Sequence, residues 1–161
     1  MQPGPAVNRN LVGRCGVYCG ACEIRRGFED AGKLRLDVAQ KHNCMPGDVR
    51  CNGCRSVHVI GWSRAKDYGK NCAILACLKT RGLETCGDCE KLSSCDRWRK
   101  LAEHCLEIGV YLKANLQAIQ QHGVDAWLQA QEERWQCQAC GRPVAVDSIT
   151  PRCHRCGVYQ L

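Results

Sequence analysis

Between Leu101 and Ile119 the apolar positions recur every three or four residues. Leu101, Cys105, Ile108, Leu112, Leu116 and Ile119 fall on one face, which is the pattern of an amphipathic helix. Gly109 weakens the middle of this run and leaves room for two helices in place of one. His122-Gly123 closes it, with the glycine suited to the position just past a helix end. A further helix is predicted from Asp125, as N-cap, through Arg134. Its Trp127, Leu128 and Ala130 can turn back on the first stripe and form a helical hairpin. Upstream the pattern is weaker. Leu34 and Val38 carry a helix over 31–42, and 72–80 reads as another, ended by Gly82. Residues 57–62 (VHVIGW) read as a short strand. The remainder of the first hundred residues has no long periodic run and few aromatics, so apolar burial alone gives it a small core.

Composition supplies what the periodicity lacks. The chain has 161 residues, of which 16 are cysteine. Thiols at that density act as disulfides or as metal ligands. Residues 1–13 lack the apolar stretch of a secretory signal, and no run is long enough to span a membrane. A reducing, cytoplasmic setting is therefore expected, where paired cysteines read as metal ligands. The formal charge is +7. A zinc ion held by four thiolates carries a net negative charge, so about three such sites would cancel most of that excess. What basic character remains lies before residue 100, where 18 Lys and Arg face 10 Asp and Glu. It could meet an acidic protein partner or nucleic acid.

The most specific motif is at the C-terminus. Cys137-Gln-Ala-Cys140-Gly and Cys153-His-Arg-Cys156-Gly are two C-x-x-C-G knuckles. Two intervening residues let one tight turn aim both sulfurs at a single ion, and the glycine accepts the left-handed backbone that follows. Four thiolates close a tetrahedron and leave no open position, which marks a structural zinc site; a single iron takes the same ligands. The linker holds Val144 and Val146 in alternation and reads as a hairpin, so 136–161 is predicted as a β zinc ribbon.

The N-terminal cysteines are Cys15, Cys19, Cys22, Cys44, Cys51, Cys54, Cys72, Cys77, Cys86, Cys89 and Cys95. Pairing by order puts Cys19 and Cys22 with Cys51 and Cys54, and Cys86, Cys89 and Cys95 with Cys77 or Cys72. Cys15 and the unused member of the 72/77 pair are then neighbouring thiols or bridging ligands, and Cys44 is free or bound. Zinc fits these groupings, and a [4Fe–4S] cluster accepts the same thiolates with looser spacing. Radical S-adenosylmethionine enzymes also use C-x3-C-x2-C, as in Cys15, Cys19 and Cys22, but this chain is too short for their barrel. Cys105, on the helical stripe, reads as a small buried hydrophobe. His42, His58, His104, His122 and His154 are not needed as ligands where thiols are in surplus, and His154 reads as a surface residue. No nucleophile elbow, P-loop or H-E-x-x-H helix occurs, so no catalytic residue is assigned.

Several of these motifs occur together in one known family. GRCGVYCGAC at 13–22, Cys51-Asn-Gly-Cys54, the C-x4-C of Cys72 and Cys77, and Cys86-Gly-Asp-Cys89 with Cys95 resemble DUF3795, an uncharacterised cysteine-rich prokaryotic family. Asn115-Leu116, the 123–127 segment, QEERWQCQAC at 131–140 and the closing knuckle extend the resemblance to roughly 13–158. Such proteins often carry an aromatic residue and a proline before the last N-terminal cysteine; here Ser93-Ser94 stand there. The resemblance implies shared architecture and metal binding, and no reaction.

The expectation is a small, irregular, mainly α, metal-stapled protein. It would have a flexible 1–13, a cysteine-rich metal-binding region at 14–95, a helical hairpin at 96–135 packed on that region, and the β zinc ribbon at 136–161. Its role would be that of a zinc-stabilised interaction or regulatory module, with iron–sulfur redox or sulfur handling, or nucleic-acid binding, as the alternatives.

Overall fold

The structure is a computed structural model that describes residues 6–145 and 153–157. It is helical. Helix α1 spans Glu23–Asp30, α2 Gly32–Lys41, α3 Ala73–Arg81, α4 Asp96–Glu107, α5 Leu112–His122 and α6 Val124–Arg134. Among the described residues there is no β-strand, only the isolated bridges Val12–Tyr18 and Gln136–Pro143.

One local design is used three times. A short 3₁₀ turn at Cys19–Ala21, Gly69–Asn71 or Leu92–Ser94 leads directly into a cysteine, and that cysteine is the N-cap of an α-helix. Cys22 thus opens α1, Cys72 opens α3 and Cys95 opens α4. In each case the backbone N–H of the cysteine closes the turn, onto the carbonyl of Cys19, Gly69 or Leu92. The helix N-terminus carries partial positive charge, which favours a thiolate beside it.

Three apolar clusters knit these elements together. Leu11, Val12, Tyr18 and Ala21 pack on Ile119, Trp127 and Leu128 of α5 and α6. Tyr18 meets Trp127 edge to face, with ring centroids 6.1 Å apart. Ile74 and Leu78 of α3 join Trp98 and Cys105 of α4 and Leu112 and Leu116 of α5. Ile24, Val38, Ala39, Val49 and Trp62 form a third cluster between α1, α2 and the loop after them. The loop carrying Cys15 is pinned from below by two side chains. Asn115 donates to the Gly16 carbonyl at 2.8 Å, and the Trp98 indole donates to the Cys15 carbonyl at 3.0 Å.

The stripe from Leu101 to Ile119 is two helices. Gly109, at φ +73°, breaks it, and Val110 N–H returns to the Cys105 carbonyl. In α6 it is Trp127, Leu128 and Gln131 that turn inward, while Ala130 stays exposed.

Two predicted β features are corrected. Residues 57–60 are turn and bend and 61–62 are irregular: Val59 and Ile60 N–H groups both fold back to the Ser56 carbonyl. A side chain at Gly61 would collide with the Val57 carbonyl, so the chain doubles back where a strand would run straight. The C-terminal β zinc ribbon is likewise not found. The four-cysteine group is present, but among the described residues around it the backbone makes one bridge, Gln136–Pro143, with Cys137 N–H on the Arg142 carbonyl and Val144 N–H on the Trp135 carbonyl. Tight knuckles position the sulfurs by themselves and need no ladder. Val146 and the rest of 146–152, part of the predicted hairpin, lie outside the described residues, as do 158–161 of the predicted ribbon.

Candidate metal centres

The C-terminal knuckles face each other. Gly141 N–H bonds to the Cys137 carbonyl at 2.7 Å, and Gly157 N–H bonds to the Cys153 carbonyl at 2.8 Å. Both glycines have left-handed backbones, at φ +68° and +75°. The two turns are therefore equivalent, and each aims two sulfurs inward. All four Sγ atoms, of Cys137, Cys140, Cys153 and Cys156, lie within 4.8 Å of one another. Across the knuckles Cys137 Sγ is 3.5 Å from Cys156 Sγ, and Cys140 Sγ is 3.6 Å from Cys153 Sγ. Sulfurs bound at about 2.3 Å to one tetrahedral ion are separated by about 3.8 Å, so the cage is close to the size one ion requires. Cys137 and Cys153 are buried, while Cys140 and Cys156 are exposed. Burial works against ionising Cys137, but the N–H groups of Cys140 and Ala139 and the thiols of Cys156 and Cys140 outweigh it and bring its pKa down to about 6. This group could hold a metal ion.

The second knuckle is also anchored. His154 Nε2 lies 2.8 Å from Asp30 Oδ2 at the end of α1, and Arg155 and Arg26 approach the same carboxylate at 3.9 and 3.8 Å. His154 is thus a half-buried docking residue, where the sequence suggests a surface one. Its partner is 124 positions away, and no local pattern announces such a pair.

The N-terminal thiols are distributed differently. Cys77, Cys86, Cys89 and Cys95 line one cavity. Burial pushes the Cys86 thiol up to about 12, with Cys95, Cys89, Cys77 and Cys72 adding to the effect. Burial likewise raises Cys15, which also feels Cys54, Cys86 and Cys72. Cys19 is raised by burial and then by Cys54, Cys22 and Cys15. Burial also raises Cys22, with Cys51 as its neighbouring thiol, and Cys54, with Cys72 as its neighbour. Cys22, Cys44 and Cys51 border the cluster of Ile24 and Trp62. Cys54, Cys22 and Cys15 thus act on Cys19, and Cys51 acts on Cys22, so the four thiols that pairing by order puts together interact with one another and with Cys15. Buried thiols of raised pKa bind a metal only by exchanging their protons for it. Among the described residues, the C-terminal four are the only group of three or more whose ligand atoms all come within 4.8 Å.

The histidines stand apart from these groups. His42 Nε2 lies 3.0 Å from Glu23 Oε1 and its ring packs on Trp62, and His58, His104 and His122 are exposed. Cys105 is buried between α4 and α5 in the cluster with Leu112 and Leu116.

A protein of unknown function, DUF3795, matches residues 11–100. That is more than half of the chain. The chain belongs to the DUF3795 family. The match takes in every N-terminal cysteine and the start of α4 and stops short of the C-terminal knuckles. No curated protein and no solved structure matches the chain. Among the described residues, no helix is long and apolar enough to cross a membrane.

Proposed function

We propose that this DUF3795 member is a zinc-stabilised interaction or regulatory module, acting in a reducing compartment such as the cytoplasm. The observation that carries the reading is the C-terminal cage, with four sulfurs within 4.8 Å and cross-knuckle contacts of 3.5 and 3.6 Å. Four thiolates fill the coordination sphere of zinc, so the ion braces the two knuckles and does not act on a substrate. The anchored second knuckle then becomes a rigid surface beside α1, fit for docking. The partner chemistry that suits the N-terminal half is acidic, because cationic residues outnumber acidic ones there. Nucleic acid would use the same charge, and its binding would weaken steeply with salt as counterions are released.

Metal analysis of the purified protein tests the core of this reading. About one zinc per chain is expected to disappear in the Cys140→Ser/Cys156→Ser variant, whose substitutions lie at exposed positions and spare the buried sulfurs. Zinc content unchanged by that variant would place the ion elsewhere and end the proposal. A second reading, iron–sulfur chemistry in the N-terminal half, is favoured by one specific cavity.

A further inference from the structure

Between α3, the Cys86–Asp88 turn and the start of α4 lies a cavity of about 250 Å³. Four cysteines line it, Cys77, Cys86, Cys89 and Cys95. They come from four distinct places: the middle of α3, the two ends of a 3₁₀ turn, and the N-cap of α4. Four cysteines from separate elements meeting at one half-open cavity is more than packing requires, since a lone buried cysteine such as Cys105 already serves as a small hydrophobe.

The size of the void decides which metal chemistry fits. A single ion sits in the gap between its own ligands and needs no cavity. The same chain shows what that looks like, in the C-terminal cage, and no three of the cavity sulfurs approach one another within the 4.8 Å that defines it. A cube of four irons and four sulfides differs in the required way. Each thiolate binds a separate corner, so the ligands stand farther apart and the inorganic core fills the space between them. Iron–sulfur clusters also favour dry walls, which Leu78 and Trp98 supply here.

The charges agree. A cluster held by four thiolates is a net anion, and Arg81, Lys91 and Arg97 stand at the cavity. Arg81 Nη1 donates to Cys89 Sγ at 2.8 Å. Hydrogen bonds to ligand sulfur withdraw charge and make a cluster easier to reduce.

We infer that Cys77, Cys86, Cys89 and Cys95 ligate a [4Fe–4S] cluster in this cavity. The site is separate from the C-terminal zinc cage and does not depend on it. All four irons are met by protein thiolates, so no iron is left open to a substrate.

The test is anaerobic purification, then reconstitution with ferrous iron and sulfide. Iron, sulfide and zinc are counted per chain, and the visible spectrum and the paramagnetic signal after dithionite are recorded. The expected result is about four iron and four sulfide per chain with broad visible absorbance. Both are lost in Cys86→Ser/Cys89→Ser, and both are kept in Cys140→Ser/Cys156→Ser, which loses only zinc. Failure of the zinc reading and failure of this one therefore show in different elements and different variants. Zinc with no sulfide after reconstitution would overturn the inference. So would a cluster that survives in Cys86→Ser/Cys89→Ser. Because that variant removes a buried side chain, Arg81→Leu serves as a second measurement, since Arg81 is exposed and every thiol stays in place. It is expected to shift the cluster midpoint to a more negative potential with unchanged iron content, and an unchanged potential would contradict placement of the cluster beside Cys89.

Discussion

Cys105 and Cys137 are both buried, yet they are opposite kinds of thiol. Cys105 has only burial acting on it, which pushes its pKa up to about 11. It stays protonated at neutral pH, and a protonated thiol is a poor nucleophile and a poor ligand. Brief alkylation of the folded protein near neutral pH, read by peptide mass spectrometry, is expected to leave Cys105 unlabelled, with labelling rising only as the pH approaches about 11. Cys105→Ala is expected to cost about 1 kcal/mol in denaturant unfolding, the scale of a small core truncation, without altering metal content. Cys137 is pulled the other way by N–H groups and by partner sulfurs. The difference is legible in part from the sequence. C-x-x-C-G spacing identifies Cys137 as a ligand, and the helical stripe identifies Cys105 as core. The Asp30–His154 contact is not legible, because two residues so distant in sequence meet only once the chain has folded.

At the scale of elements, the repeated unit of turn, cysteine and helix explains why the cysteine-rich half reads poorly from sequence. Helix α1 begins at the residue after Cys22 and buries Arg25 and Arg26, with Arg25 paired to Glu29 at 2.8 Å. Ile24 and Phe28 are the only large apolar residues in its eight positions, too short a run to establish a helical period by itself. Helices α2 and α3 are readable, because Leu34 and Val38 mark one and Gly82 ends the other at φ +65°. The residues at 57–62 are β-branched and aromatic and so imitate a strand, but Gly61 folds them into a turn. Glycines give this level its sharpest test. Gly53, between Cys51 and Cys54, has φ +98°, and an added Cβ would collide with the Asn10 carbonyl. Gly82 has a left-handed backbone too, but open space where its Cβ would be. Gly82→Ala is expected to cost about 1 kcal/mol, from backbone conformation alone. Gly53→Ala is expected to cost about 3 kcal/mol or more, because the strain comes with a backbone clash. Denaturant midpoints of the two variants, measured side by side, check the difference; equal costs would mean that the Asn10 loop yields freely.

Over the whole molecule, two apolar clusters cross from the family-matched region into the helices beyond it. Leu11, Val12 and Tyr18 pack on α5 and α6, and α3 packs on α4 and α5. The helices after residue 100 are thus part of the core beneath the N-terminal thiols. The C-terminal cage is placed otherwise. Its cluster of Cys137, Val144 and Cys153 is separate, touched by Trp135. Trp135 also packs against the cluster of α5 and α6, and so holds the first knuckle. The second knuckle relies on Asp30, a carboxylate shared by His154, Arg155 and Arg26 and itself only 14% exposed at its side chain. If zinc alone fixed this knuckle, removing the carboxylate would change nothing. If Asp30 docks it, Asp30→Ala leaves the zinc in place but releases the surface the knuckle presents. The second outcome is expected: zinc near one per chain, with hydrogen exchange at 153–157 at least about tenfold faster than in the parent protein, matching the loss of about 1.4 kcal/mol or more of local stability. Unchanged exchange would show that the metal alone fixes the knuckle. Faster exchange with lost zinc would show that docking and metal retention are one event, because the cage then depends on α1 to keep its two halves together.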